Sequence, residues 1–416
     1  MSGTQCHQAI CADSSCTGCM ACVNSCRHGG LIAGSNDKGF YRPVPVEEQC
    51  IDCGACAGVC PVLHSLSPAP QAAGDGAKAY YGFVRDADVR RQSSSGGLFS
   101  ALAEHVISQG GVVYGALFGG DMVCVVSDTE TAGGIAPLRG SKYVQARIGA
   151  DLLRRIRQRL VRGQQVMFTG TPCQIAGLRG FLRKDYPNLL TVDFLCHGVP
   201  SPLILKEYVS YLEALRGAKV TGLRHRDKFR SWHVFNIRID YADGGRQNIF
   251  RSRDPYYLLF LRDLSVQETC FHCRYTRPDR VSDLTLGDYW TDVDHHRIKD
   301  DDTGLSLILA STPRGEAALS AVDGKLCLRE VSFEAVHRAY YYLQHPTQRP
   351  SQWDAFWRDA AAMPFSAIVG RYGRPAHVCL ADRIIMAFGR KRWNAGLIKL
   401  LYILDYEYRK HIAKNL

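Results

Sequence analysis

Two stretches near the start of the chain, CTGCMACVNSC at 16–26 and CIDCGACAGVC at 50–60, repeat one pattern, Cys-x-x-Cys-x-x-Cys-x-x-x-Cys. They place Cys16, Cys19, Cys22, Cys26, Cys50, Cys53, Cys56 and Cys60 within the first sixty residues. Thiolates are soft ligands for iron and zinc. Two-residue steps turn successive sulfurs toward one point and leave backbone amides to face inorganic sulfide. Zinc prefers paired Cys-x-x-Cys knuckles to a triple run, so the pattern points to iron–sulfur chemistry. Seventeen cysteines, ten of them before position 61, argue for ligation in a reducing compartment rather than a disulfide scaffold. Cys6 and Cys11 read as free thiols, and Cys124, Cys327 and Cys379 as core residues.

The repeat resembles the two-cluster bacterial ferredoxin domain, in which the last cysteine of each run ligates the other cluster. That resemblance implies one 4Fe-4S cluster on Cys16, Cys19, Cys22 and Cys60, and a second on Cys50, Cys53, Cys56 and Cys26. Pro61 follows the second run, whereas Arg27 stands where the first would usually have proline.

Four further cysteines fall where chain elements change. Cys173 lies in FTGTPCQIAGLRGFL, where a strand ends and Pro172 opens a helix whose N-terminus favours a thiolate. Cys196 closes the strand in TVDFLCHGVPSP, and Cys270 and Cys273 form an isolated Cys-x-x-Cys. Chemistry alone leaves a third cluster, structural zinc and unrelated thiols open.

The elements that must position these residues are legible as patterns. The expected fold class is α+β: an N-terminal two-cluster ferredoxin-like domain (1–66), a Pro/Ala/Gly-rich linker (67–79), a central mixed α/β flavin and iron–sulfur domain (80–330) and a helical C-terminal region (331–416). GGVVYGALF, QQVMFTG, LLTVDFLCHG, SDLTLGDYW and LSLILAST read as strands. GGLFSALAEHVISQG, ADLLRRIRQRLVRG and LILKEYVSYLEALRG read as helices. HVFNIRIDYADGGRQNIF alternates about Asp-Gly-Gly as a hairpin.

Of 416 residues, 46% are apolar and 22% charged, ordinary for a globular chain. No apolar run is long enough to span a membrane and no export signal is evident, so a cytoplasmic location is expected. The net charge of +11 is spread along the chain without the basic-aromatic surface of a nucleic-acid module. Arg154, Arg155, Arg157, Arg159 and Arg162 read as a solvated helix face. The basic amphipathic stretch 390–414 offers docking on its own domain, on a partner, or as a peripheral membrane contact.

SSSGGLFSALA, RGSKYVQA, GTPCQIAGLRGF, DFLCHGVPSP, the Cys-x-x-Cys at 270 and SDLTLGDYW occur in the order of one family. The chain resembles the beta subunit of the deazaflavin-coenzyme (coenzyme F420) hydrogenase/dehydrogenase family. The resemblance implies an FAD-dependent iron–sulfur oxidoreductase, with a third 4Fe-4S cluster on Cys173, Cys196, Cys270 and Cys273. It implies a flavin site lined by Ser94, Ser95, Gly96 and Gly97 and by Gly140, Ser141, Lys142 and Tyr143. Glycines at 96 and 97 would admit an isoalloxazine ring, with the serines donating hydrogen bonds and capping the next helix. The bland reading of this stretch is a capped helix start, and of Lys142 a surface charge.

Ser94-Ser95-Gly96-Gly97 replaces the Gln-Asp-Gly-Gly of deazaflavin-using members, which puts the deazaflavin itself in question as substrate. Similar bacterial chains are associated with surface-polysaccharide biosynthesis. Arg224, Arg226, Lys228 and Trp232, together with Arg230 and His233, are the candidates for an anionic small-molecule substrate with a planar part; a basic loop before an edge strand is the alternative. His197, beside Cys196, is the candidate proton donor, against a packing role. The expected partners are a ferredoxin or other redox protein and the small-molecule substrate, with no nucleic acid. Two functions compete: an enzyme reducing or oxidising that molecule, and an electron-transfer subunit (or reduced-deazaflavin:ferredoxin oxidoreductase) serving a separate enzyme.

Overall fold

The computed structural model describes residues 15–64, 77–229, 231–290 and 301–374. Cys6, Cys11, Cys379, Arg230, most of the expected linker and the basic stretch 390–414 lie outside these residues.

A central sheet of eight strands organises the molecule. They are β3 (Lys78–Val84), β4 (Val112–Phe118), β5 (Cys124–Thr129), β6 (Val166–Thr169), β7 (Leu189–Phe194), β11 (Leu284–Asp288), β12 (Ser306–Ala310) and β13 (Leu326–Val331). Their order is β13-β3-β12-β11-β7-β6-β4-β5. The neighbours β11, β7, β6 and β4 run parallel, and the flanking pairs are antiparallel. β12 is buried throughout and β7 along all but its last residue, as the near-continuous apolar runs of strands covered on both faces require. The hairpin β9 (Asn236–Tyr241) and β10 (Arg246–Phe250) forms about Asp-Gly-Gly as its alternation predicts, and joins β8 (Val220–Asp227) in a second sheet. The stretch read as a basic loop thus begins as an edge strand.

The helix Pro172–Leu182 starts on a capping box: Thr171 Oγ1 accepts from the Gln174 amide, and Gln174 returns a bond to Thr171, with Pro172 in the first turn. This fixes Cys173 at the carboxyl end of β6. Cys196 and His197 follow the carboxyl end of β7. In open α/β sheets, that edge is where sites are built.

The N-terminal module adds β1 (Leu31–Ser35) and β2 (Tyr41–Pro45), an antiparallel pair. It does not stand apart. Met20, Cys22, Val23, Val59 and Cys60 share one core with Phe168, Ile175, Leu178 and Phe181. Gln145 accepts from the Tyr41 amide at 2.6 Å and donates to its carbonyl at 3.1 Å. Asn24 donates to the Gly149 carbonyl and accepts from the Leu153 amide, both at 3.0 Å.

Candidate electron-transfer site

The two cysteine runs share one backbone. The second residue after the first cysteine has positive φ in each (Gly18, 70°; Asp52, 53°), and so has the fourth (Met20, 57°; Gly54, 70°). Each run uses glycine at one of these left-handed positions and strains a side chain at the other.

Cys16, Cys19, Cys22 and Cys60 are each under 9% exposed. Burial pushes the Cys19 thiol up to about 11 and Cys22 well above its ordinary range, and Cys60 acts on both. Cys26, Cys50, Cys53 and Cys56 line one recess, open in part to solvent, with His28, Gln49 and Gly54; Cys53 is exposed. The last cysteine of each run therefore sits with the other run's triplet.

Cys173, Cys196, Cys270 and Cys273 also converge, each an electrostatic neighbour of others in the set, and none is in a disulfide. Gly198 (φ 148°) lets the loops meet, because a Cβ there would stand 2.7 Å from Val266 and 3.6 Å from Cys270. The helix start does not make Cys173 a ready thiolate. Burial outweighs it and pushes the thiol up to about 12, with Thr171 Oγ1 3.1 Å from the sulfur opposing. Four desolvated thiols would need a cationic body to stay ionised, the charge that a bound metal or cluster supplies. Among the described residues no three His, Cys, Asp or Glu side chains are grouped to hold a single metal ion.

The third set abuts the first. Cys19 acts electrostatically on Cys173, and both act on Tyr275, whose phenol burial also pushes up. Tyr275 was not a sequence candidate; its place two residues after Cys273 was the available signal.

The two expected flavin segments touch. The Ser141 amide donates to Ser94 Oγ at 2.8 Å, beside Gly140 (φ 86°). Ser95 Oγ donates to the Leu305 carbonyl at 2.6 Å, and the Gly96 amide donates to Ser306 Oγ at 2.8 Å. Two expectations change here. Gly96 is glycine because a Cβ would collide with the Gly82 carbonyl oxygen and stand 3.0 Å from the Ser306 amide nitrogen, so the sheet itself demands it. The following helix, Leu98–Ser108, is capped by Gly97 in a left-handed conformation (φ 94°), with no serine side chain. Lys142 spends its ammonium on the Pro137 and Arg139 carbonyls, both at 2.9 Å, and burial pulls it down to about 8.

The basic cluster is not the open surface expected. Arg224 is exposed, but Arg226 pairs with Asp288, and Lys228 donates to the carbonyls of Arg90, Ser95 and Thr303 at 2.6–2.9 Å. Trp232 is fully buried and stacks on Trp290, centroids 4.2 Å apart. Nevertheless the region fits a planar anionic group. Arg226 Nε and Nη2 are buried with no hydrogen-bond partner, and Trp290 and Phe194 remain 46% and 39% exposed.

His197 is held on both ring nitrogens: Nε2 is 2.6 Å from Asp263 and Nδ1 2.8 Å from the Tyr342 hydroxyl. Its ring lies 4.8 Å from Phe260, which stacks 5.0 Å from Tyr143. Asp263 and Tyr342 were not foreseen, lying 66 and 145 residues from His197.

A buried cysteine quartet shared between two repeats, backed by a second quartet at a sheet edge, defines an iron–sulfur electron-transfer protein. Residues 15–63 match the 4Fe-4S dicluster domain, and residues 163–334 match the family described as the C terminus of the coenzyme F420 hydrogenase/dehydrogenase beta subunit. A solved chain from the F420-reducing NiFe hydrogenase complex of Methanosarcina barkeri is similar at 17% identity, over 63% of this chain and 85% of that one. Its TM-score of 0.41 is too low to assign fold, ligand or partner. No curated protein matches the chain. No helix among the described residues is long and apolar enough to cross a membrane.

Proposed function

We propose that the chain is an FAD-dependent iron–sulfur oxidoreductase that carries electrons from an outer cluster, through a buried one and a third, to a small molecule at the sheet's carboxyl edge. The carrying observation is the row of three four-cysteine sets. The outermost opens to solvent at Cys53, the next touches the helix that carries Cys173, and the third ends beside His197. In this reading Cys50, Cys53, Cys56 and Cys26 hold the first cluster electrons meet, and Cys16, Cys19, Cys22 and Cys60 the second. Cys173, Cys196, Cys270 and Cys273 hold the third, their thiols being mutual neighbours.

Ser94, Ser141 and the unpartnered nitrogens of Arg226 would hold the flavin, with Trp290 and Phe194 against its rings. When bound, FAD couples one-electron wires to two-electron chemistry. Between Asp263 and Tyr342, His197 holds a proton within two aromatic rings of the flavin segment and supplies it to the product.

The exposed edge of the outer set favours a second reading, in which the chain serves a separate enzyme, or takes electrons from a reduced deazaflavin to a ferredoxin. Anaerobic purification followed by iron, sulfide and flavin analysis tests the proposal. About twelve irons, four per cubane cluster, and one flavin per chain are expected. About eight irons without flavin would sink it. With the flavin in place, oxidation of the dithionite-reduced protein by the deazaflavin or by sugar nucleotides, surface-polysaccharide precursors among them, separates the enzyme from the subunit.

A further inference from the structure

The loop that carries Cys270 and Cys273 is tied to the strand that delivers Cys196 by one buried ion pair. Arg280 is 4% exposed and Asp193 0%. Arg280 Nη2 donates to Asp193 Oδ2 at 2.9 Å, Nη1 to the Tyr275 carbonyl at 2.8 Å and Nε to Thr285 Oγ1 at 3.0 Å. Tyr275 is two residues beyond Cys273, and Asp193, on β7, three before Cys196. The guanidinium thus spans two of the segments that bring thiols to the third set.

Buried ion pairs are weak stabilisers, because desolvation consumes most of their attraction and a well-packed apolar pair often does as well. A fixed cation among buried thiols has another effect. Arg280 reaches the segments of both Cys273 and Cys196, through the Tyr275 carbonyl and Asp193. An electron added to a cluster on those thiols adds negative charge, with no bond made or broken, and a nearby cation stabilises that reduced state.

We propose that Arg280 is a positioning residue for the third cysteine set, clasping its Cys-x-x-Cys loop to β7 and, by its charge, raising the reduction potential of the cluster held there. The inference rests on the third-cluster reading above. Asp193 is the counterweight: its carboxylate lowers the potential that the guanidinium raises.

The test is an anaerobic redox titration of the full chain followed by electron paramagnetic resonance, on protein whose iron content has been measured. In Arg280→Gln the third cluster should become harder to reduce, by about tenfold in its reduction equilibrium at fixed potential, or about 59 mV for one electron. In Asp193→Asn it should become easier to reduce, while Arg280→Lys stays close to the parent. The two N-terminal clusters should move less in all of them, the outer one least.

Opposite shifts cannot come from loosened packing, which both substitutions share. Unchanged potentials, or shifts of one sign, in iron-replete variants would overturn the role of Arg280. Should Arg280→Gln lose iron, Asp193→Asn decides alone, and no shift there overturns the proposal. A parent chain with about eight irons instead removes the third-cluster reading, whatever Arg280 does.

Discussion

Replacing Gly177 by alanine should strip iron from the first cysteine set. Gly177 lies one turn beyond Cys173 in the helix Pro172–Leu182, and its bare face receives Cys19. A Cβ built there would stand 2.6 Å from the Cys19 Cβ and 2.7 Å from its sulfur. Non-bonded carbon contacts settle at about 3.5–4.0 Å, so Cys19 or the helix must retreat by about 1 Å. Overpacking of this kind costs about 1–3 kcal/mol. Removing a glycine from a helix interior offsets about 0.8–1.0 kcal/mol of that. Strain should win by about 1 kcal/mol, and the displaced atom is a candidate ligand. Iron and sulfide per chain, with the thermal midpoint, provide the assay. Gly370→Ala is the control, because Gly370 sits in the helix Phe365–Tyr372 where a Cβ meets nothing within 4 Å. The expected outcome is lower iron and a lower midpoint for Gly177→Ala, and neither for the control. A Gly177→Ala protein with full iron and an equal or higher midpoint would refute the close docking of the first set on this helix.

Cys60→Ser should abolish the buried N-terminal cluster and Cys53→Ser the outer one, each leaving the other's paramagnetic signal; loss of the same signal in both would contradict the crossing of the two runs. Burial holds His225 neutral by pulling its pKa down to about 3. An unfolded chain binds a proton there below about 6.5, so stability should rise with pH between those values by up to about 1.4 kcal/mol per unit. His225→Asn should flatten that slope in unfolding midpoints measured from pH 7 to 5, and an unchanged slope would show that other groups set it. Gln145→Ala, which deletes both bonds to the Tyr41 backbone, should cost about 1–3 kcal/mol and speed amide exchange in β1 and β2 before the central sheet.

Elements were legible where a local rule governs them. Alternation marked the β9–β10 hairpin, and the glycine after Arg216 marked the end of the helix Pro202–Arg216, where Gly217 takes φ 74°. Short cysteine spacings announced the N-terminal sets, because three ligands of each lie within seven residues. What could not be read was anything decided by a partner far along the chain. A run rich in arginine and lysine looks like a surface until Asp288 takes up Arg226 and three carbonyls surround Lys228. SSSGG reads as a ligand loop, and nothing in it announces that Gly82 of β3 and Ser306 of β12 leave no room for a Cβ at its first glycine. The Asp263–His197–Tyr342 chain joins three segments that no spacing rule connects, and the third cysteine set, marked by its places at element ends, could be preferred as a cluster site over zinc or unrelated thiols only through a family resemblance.

The way the N-terminal module is held bears on how electrons would move. A ferredoxin domain on a flexible tether would deliver electrons by collision, with a rate set by how often it docks. Here Met20, Val23 and Val59 are buried in the same core as Phe168 and Phe181, and Asn24, Gln145 and Gln267 bond across the join. Gln267 donates to the Cys16 carbonyl at 2.9 Å from the loop that leads to Cys270, so one side chain spaces the first set from the third. Release of such a module would expose the apolar residues that make this core, which the hydrophobic effect opposes. Cluster separations are therefore fixed by packing. What remains adjustable is the potential of each site, set by charges and hydrogen bonds around the sulfurs. On the proposed reading, a buried pair such as Arg280 and Asp193 would therefore be a more effective control point than movement of the module.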